Sequence, residues 1–109
     1  MTQSHMERRS PKELQAIISN LSSSRLERVA SSFLLGRDSS VASLNVLLAL
    51  AQNSSLPREV LDEIGRSLGR VAHSIGAVEE VNSNDIYLLD EVAFKAFDQE
   101  VAIRNFLQV

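Results

Sequence analysis

Histidine and serine stand side by side at His73 and Ser74, the residue pair that comes nearest to a nucleophilic site in this chain. A serine nucleophile needs a histidine base within hydrogen-bond reach and an acid that orients the base. Neighbouring residues of a helix point in different directions, so these two side chains should not meet. The chain has no cysteine, which removes thiol nucleophiles, thiolate metal sites and disulfides together. We expect His73 to be a surface residue of a protein that is not an enzyme.

Carboxylates are the other residues that could do chemistry, and they are concentrated late in the chain. Glu79, Glu80 and Asp85 could surround a loop, but they lack the ordered spacing of a calcium-binding EF-hand. No glycine-rich phosphate loop precedes a Lys-Ser or Lys-Thr pair. The sequence therefore predicts no metal, no cofactor and no catalytic residue.

The charge is divided unevenly along the chain. Residues 1–58 carry a net charge of +3, and residues 59–109 carry a net charge of −6. An acidic half disfavours nucleic acid and favours a basic protein partner. Alternatively, the same charge forms a solvated face that only maintains solubility.

We expect partner binding in the acidic stretch 79–91. The candidate contact residues are Glu79, Glu80, Asp85, Tyr87, Asp90 and Glu91. Tyr87 is the only tyrosine, and as an amphipathic side chain it suits an interface. The alternative for Tyr87 is an ordinary half-buried aromatic on a helix face.

No stretch of the sequence reads as a membrane or export segment. The longest apolar run, residues 44–51, is far shorter than the roughly 20 residues of a spanning helix. The N-terminus lacks the apolar core of a signal peptide. Residues 1–9 are expected to be a disordered or tag-like tail, because Ser4-His5-Met6 resembles a cloning remnant. Residues 10–109 should form a single helical domain, located in the cytoplasm.

Helix signals dominate, so the predicted fold is all-α. Ser10 and Ser24 each precede a glutamate by three residues, the spacing of a capping box. They predict helices over about 11–20 and from 25 to Gly36, where a left-handed glycine should end the second helix. The apolar positions of this second helix are Leu26, Val29, Ala30, Phe33 and Leu34.

A third helix is predicted over about 40–52. It is apolar around almost its whole circumference, which is typical of a buried helix, so we expect it to be the central element. The connections are short, and neighbouring helices should therefore pack as antiparallel hairpins. The expected architecture is five to six short helices, either HEAT-like or a small orthogonal bundle.

The stretch 57–76 allows two interpretations. As one helix, it has a single apolar stripe with Gly65 and Gly69 on its border, where another helix or loop of the same chain could approach closely. As a helix-turn-helix, it would break near Gly69 and present a recognition helix over 73–83. That helix would carry no Lys or Arg, unlike a typical reader of DNA. A helix that continues through Gly69 would exclude the motif.

Two more helices are predicted after this stretch. The fifth runs from residue 84 or 85 to about Lys95, and the sixth covers about 98–107 with Asp98 as its cap. The expected buried residues of the sixth helix are Val101, Ala102, Phe106 and Leu107.

Residues 47–93, LLALAQNSSLPREVLDEIGRSLGRVAHSIGAVEEVNSNDIYLLDEVA, contain two short motifs after an apolar helix. The motifs are Asn-x-Ser-Leu-Pro-x-Glu-Val-Leu and Ile-Gly-x-Ser-Leu. With them, residues 44–107 resemble small bacterial immunity proteins of polymorphic toxin and contact-dependent growth-inhibition systems. The resemblance implies an all-α fold of stacked antiparallel helices that binds one cognate toxin domain, often a nuclease, and neutralises it by occlusion. It carries over no catalytic or toxin-binding residue. The alternative is a helical adaptor or scaffold that binds another protein.

Overall fold

The computed structural model describes residues 9–108, and all regular structure in this range is helical. Residues 1–8, which belong to the predicted N-terminal tail, lie outside the described part of the chain. The helices are α1 (Pro11–Ser19), α2 (Arg25–Leu35), α3 (Val41–Ala51), α4 (Arg58–Ser74), α5 (Val78–Asn84) and α6 (Glu91–Leu107), with a 3₁₀ turn at Ile86–Leu88. The prediction of an all-α fold is confirmed.

Helices α2 and α4 lie side by side and run in the same direction. Arg25, in the first turn of α2, forms an ion pair of 2.9 Å with Glu59 in the first turn of α4. Further along both helices, the Ser67 hydroxyl donates a 2.7 Å hydrogen bond to the carbonyl of Ser32. Since contacts advance along both helices together, the two helices are parallel.

Helix α6 continues this parallel row on the other side of α4. Gly65 faces Ala93 and Ala96, and one turn later Gly69 faces Phe97 and Glu100. Each parallel pair is joined by a helix that runs back, so consecutive helices form hairpins. The extents of 39 × 31 × 20 Å fit two layers of helices, each about 10 Å thick. Stacked helix pairs of this kind are the architecture of α-solenoids.

Helix α4, and not α3, is the central element. It contacts α2, α3, α5 and α6, and residues of all its turns are buried. The prediction that α3 is the central helix is wrong. This helix lies at the surface, where its residues Val41 and Asn45 are exposed. Its outward residues Ala42 and Ala49 are apolar but small and exposed. The helix is therefore apolar on almost every side without being fully buried.

The contact between α4 and α6 is the most extensive in the molecule and depends on two glycines. A Cβ on Gly65 would overlap the carbonyl of Ala93 and lie 2.8 Å from the Ala96 Cβ. A Cβ on Gly69 would lie 2.8 Å from the Cβ of Glu100. The prediction that these glycines admit another helix of the same chain is confirmed. Because α4 is continuous through Gly69, the helix-turn-helix prediction is wrong.

We predict that Gly65→Ala destabilises the protein by about 1–3 kcal/mol, the usual range for overpacking. In an isolated helix, alanine is more favourable than glycine by about 1 kcal/mol. The sign of the change in the free energy of unfolding therefore separates overpacking from helix propensity. Urea denaturation gives the free energy of unfolding. The control is Asn45→Ala on the exposed face of α3, which should be nearly neutral. A Gly65→Ala variant as stable as the wild type would contradict the close contact.

The buried face of α2 differs from its predicted apolar face. Arg28, Ser31 and Ser32 are buried, while Leu26 and Phe33 are exposed. Two of these polar residues have specific partners. Arg28 Nε donates a 2.7 Å hydrogen bond to the carbonyl of Ile18, which closes the end of α1, and the Ser32 hydroxyl donates a 2.8 Å hydrogen bond to the carbonyl of Arg28. Small serine side chains also let α2 approach α4 closely.

Gly36 ends α2 without the expected left-handed conformation. Its φ is −71°, in the right-handed region. The glycine is needed because a Cβ there would lie 2.6 Å from the Cβ of Ser67. The left-handed stop is found instead at Gly76, after α4, where φ is +73°.

The last third of the chain is organised differently from the prediction. The expected fifth helix is replaced by α5 and the 3₁₀ turn, and α6 starts at Glu91. Asp98 caps no helix, because Asp90 already caps α6 by accepting a 2.8 Å hydrogen bond from the Val92 N–H. Of the predicted buried set, only Val101 is buried. Ala102, Phe106 and Leu107 are exposed, the last two because α6 extends past the end of α4.

Two predicted capping boxes are confirmed. The Ser10 and Ser24 hydroxyls accept from Glu13 and Glu27 N–H groups, and both glutamates accept from the serine N–H in return. The Ser24 N–H, at 2.7 Å, lowers the pKa of Glu27 below its ordinary value, and the Ser24 side chain adds to this effect. The carboxylate of Glu27 is therefore more stable in the folded chain than in the unfolded one.

This lowered pKa predicts a pH-dependent loss of stability. The contribution of Glu27 is fully present above its ordinary pKa of 4.5 and is lost as the pH falls through the lower folded value. Glu27→Gln keeps an acceptor but removes the charge, so it should be less stable than the wild type at pH 7. Urea denaturation between pH 7 and pH 3 should show this difference shrinking below pH 4.5. A difference that stays constant with pH would contradict the assignment.

Candidate functional site

The 3₁₀ turn between α5 and α6 holds Tyr87 out from the surface. Residues three apart in a 3₁₀ turn lie on the same side. Ile86 and Leu89 lie on one side of the turn and pack against the core. Tyr87 and Leu88 therefore point outward. Tyr87 is 92% exposed. The alternative prediction of a half-buried aromatic is therefore wrong.

Hydrogen bonds on both sides fix the turn in place. The Leu88 N–H donates to the carbonyl of Asp85 at 2.9 Å, and the Asp90 N–H donates to the carbonyl of Ala51 at 2.7 Å. The second bond ties the turn to the end of α3. A side chain on a fixed backbone loses less conformational freedom on binding than one on a mobile loop. A contact through Tyr87 would therefore cost little conformational freedom.

A small hollow lies beside Tyr87. It has a volume of about 320 Å³ and is lined by Ile86, Tyr87, Leu89, Glu91 and Phe94. Four of the five lining side chains are apolar or aromatic, and Glu91 supplies a carboxylate. An aromatic side chain would fit such a site, and so would a Lys or Arg whose carbon stem packs inside while its charge faces Glu91.

The part of the sequence that contains this turn is strongly acidic. Residues 77–99 hold six carboxylates and one lysine, a net charge of −5. Among the described residues, no ion pair involves Glu79, Glu80 or Asp85. Glu91 has only a 3.9 Å approach to Lys95. We call residues 77–91 the acidic segment.

The predicted contact residues have different structural roles. Glu79 and Glu80 are exposed in the first turn of α5, and Asp85 follows its last turn. Asp90 is partly buried and caps α6, so its carboxylate has a structural task. Glu91 is exposed beside the Tyr87 hollow. The structure thus brings Tyr87 and Glu91 together, while partner binding by all six residues stays a prediction.

A wider groove of about 630 Å³ lies where α2, α4 and α6 run side by side. Four of its lining residues are acidic: Glu59, Asp62, Glu63 and Glu91. The first three are compensated by close ion pairs of 2.8–3.0 Å with Arg25, Arg66 and Arg70, respectively. Since Glu91 lines both the groove and the Tyr87 hollow, the two sites adjoin. The groove adds area to the surface but little free negative charge.

Phe94 is the residue of this surface that the sequence did not indicate. It lies in α6, half exposed, on the wall of the hollow. The sequence would have indicated Phe94 only if α6 had been predicted to start at Glu91, which places Phe94 one turn beyond the Asp90 cap. The signal was the Asp90 capping position, which competes with Asp98 in the sequence.

The His73–Ser74 pair does not form the contact of a nucleophile with its base. The Ser74 hydroxyl is 2.8 Å from the hydroxyl of Ser39, and no hydrogen bond joins it to His73. No group of three or more potential metal ligands occurs in residues 9–108. None of the described helices combines the length and the apolar character that crossing a membrane requires.

A comparison of the chain with known protein families, with characterised proteins and with solved structures finds no match. The geometry of the acidic segment is therefore the observation on which a functional assignment rests.

Substitutions in and near the turn should separate recognition from folding. Asp90→Ala removes the cap of α6 and should cost about 1 kcal/mol of stability, whereas Asp90→Asn keeps an equally good cap. Tyr87→Ala should change stability by less than about 0.5 kcal/mol because the side chain is exposed. The measurement is the free energy of unfolding in urea. A large loss for Tyr87→Ala would mean that this side chain supports the fold.

Proposed function

We propose that this protein is an immunity protein, acting in the cytoplasm, that binds a cognate toxin domain with a basic, nuclease-type surface. The observation that carries the proposal is the acidic segment: it holds a fixed, exposed Tyr87 beside an apolar hollow lined by Glu91, and its carboxylates Glu79, Glu80 and Asp85 form no ion pair among the described residues. The resemblance of residues 44–107 to immunity proteins supports the same assignment.

The electrostatic part of the mechanism concerns the approach of the toxin. Nucleases hold the phosphate backbone of their substrate with Lys and Arg side chains. A surface with a net charge of −5 over residues 77–99 attracts such a domain from a distance and raises the association rate. High salt should screen this attraction.

The contact itself depends on desolvated side chains. Tyr87 is the anchor, because buried aromatic residues supply much of the binding energy of protein interfaces. The neighbouring hollow receives an aromatic or a long basic side chain of the toxin. The inhibitor covers the nucleic-acid site of the toxin and blocks substrate access by occlusion. No chemical step is required of the inhibitor.

The test is co-purification with the C-terminal domain of the protein encoded by the gene immediately upstream. A stable one-to-one complex that also restores growth of cells expressing that domain is the expected result. If both proteins are folded and neither binding nor rescue occurs, the immunity assignment is wrong. The acidic segment would then serve an adaptor with another protein partner.

The role of the acidic segment is tested within that complex. The triple variant Glu79→Gln/Glu80→Gln/Asp85→Asn should bind about tenfold more weakly at low salt, since exposed charge pairs contribute roughly 0.2–1 kcal/mol each. Its disadvantage should shrink as salt is raised. Glu13→Gln, on the far helix α1, removes a carboxylate elsewhere while keeping an acceptor for its cap, and should bind like the wild type. Unchanged affinity of the triple variant would exclude electrostatic recognition by this segment.

A further inference from the structure

The hollow beside Tyr87 holds a negative charge and no positive one. The carboxylate belongs to Glu91, and among the residues that the structure describes none of those lining the hollow is basic. The other lining residues are two aliphatic side chains, Ile86 and Leu89, and two aromatic ones, Tyr87 and Phe94. One carboxylate among apolar and aromatic side chains suits a cation that is carried on a carbon stem.

The carboxylate of Glu91 has no cation of the same chain on the side of the hollow. Lys95 Nζ lies 3.9 Å from Glu91 Oε1, which is long for an ion pair. Lys95 lines the neighbouring groove and not the hollow. The two side chains are 72% and 83% exposed, so their contact contributes little. Glu91 is thus able to accept hydrogen bonds from a group that enters the hollow.

An aromatic occupant would leave this carboxylate without a partner. A guest ring would displace water from Glu91 and offer no opposite charge in return, and a desolvated charge without a partner is costly. A lysine or an arginine supplies both the charge and hydrogen-bond donors, and its carbon stem can cover Ile86 and Leu89. The charge of the hollow therefore selects a basic side chain.

Two aromatic rings beside one carboxylate favour arginine over lysine. A guanidinium is planar, so it can stack on a ring while its edge donates two parallel hydrogen bonds to a carboxylate. The ammonium group of lysine is more strongly hydrated and has no plane to stack. Phe94 is 38% exposed and Tyr87 is 92% exposed, so both rings offer uncovered surface for such a contact.

The size of the hollow fits a single side chain. Its volume of about 320 Å³ is at the lower end of the range for small-molecule sites, about 300–1,000 Å³. The site is therefore too small for a longer segment of the partner.

We infer that the hollow is a receptor for one arginine side chain of the partner, bound by the Glu91 carboxylate and stacked against the rings of Tyr87 and Phe94. The inference rests on the proposed function, because it takes this arginine to come from the nucleic-acid site of the toxin domain. Such sites hold phosphate with Arg and Lys side chains. An arginine bound in the hollow cannot hold substrate phosphate at the same time, so this contact itself contributes to inhibition.

The hollow can be tested without the toxin, because Tyr87 is the only tyrosine of the chain. Its ring signals in NMR spectra therefore report on this position alone. The purified full chain is titrated with the acetylated amides of arginine, lysine, citrulline and phenylalanine. The arginine probe should bind in the millimolar range, and about tenfold more tightly than citrulline, which has a similar shape and no charge.

Matched variants assign this preference to individual side chains. Glu91→Gln keeps the size of the side chain and removes its charge, so the arginine probe should lose most of its advantage over citrulline. Asp98→Asn removes the same charge from an exposed position of α6 outside the hollow, and should leave that advantage unchanged. Phe94→Leu keeps an apolar side chain without a ring and should weaken arginine binding about threefold. Urea denaturation checks that each variant is folded.

Each outcome decides the inference. A preference for arginine that depends on Glu91 and not on Asp98 supports it. The inference is overturned if lysine, citrulline or phenylalanine binds as tightly as arginine, if no probe shifts the Tyr87 signals, or if Glu91→Gln keeps the full preference. The proposed function is decided separately. A wild-type chain that prefers the arginine probe but does not bind the toxin domain contradicts the immunity assignment and not the arginine site.

Discussion

The close approach of α4 and α6 is the constraint on which the arrangement of the surface depends. Gly65 and Gly69 place no side chain of α4 in the contact, so the carbonyl of Ala93 and the Cβ atoms of Ala96 and Glu100 come close to the backbone of α4. This contact fixes α6 in a row parallel to α4. The chain must therefore return along α4 before α6 begins, and the short α5 and the 3₁₀ turn make that return. The position of Tyr87 therefore depends on Gly65 and Gly69, which lie about twenty residues earlier in the chain.

The parallel row also explains much of the charge distribution. The N-termini of α2, α4 and α6 lie at one edge, where their macrodipoles favour acidic side chains such as Glu27, Glu59 and Glu91. The C-termini lie at the other edge, where Arg104 and His73 occur in last turns. Helix stability alone does not account for Asp85, which follows a helix C-terminus, or for Asp98 in the middle of α6.

The sequence was most informative where local chemistry decides structure. Capping serines, Pro11 and the apolar stripe of α4 predicted the first four helices to within about two residues. It was least informative where tertiary packing decides between equal local signals. Asp90 and Asp98 both suit a helix cap, and only the docking of the turn on Ala51 selects Asp90. Phe106 and Leu107 have the spacing of a buried face, but no helix lies opposite them beyond the end of α4.

Of the candidate surface, the acidic stretch and Tyr87 were predictable because charge and residue type are local properties. The Asp62–Arg66 ion pair was also predictable, because the two residues are four apart on one helix. The pairing of Glu59 with Arg25 was not, since that arginine comes from another helix. Neither was the exposure of Leu26, because its helix buries a polar face that contains Arg28 and Ser32. Polar burial of this kind depends on specific partners, which spacing alone does not reveal.

Hydrogen–deuterium exchange of the complex with the upstream toxin domain tests the central claim most directly. Binding through the acidic segment predicts slower exchange in residues 77–94, with exchange in residues 11–19 of α1 unchanged. Protection of residues 11–19 instead, with residues 77–94 exchanging as in the free protein, would contradict the account.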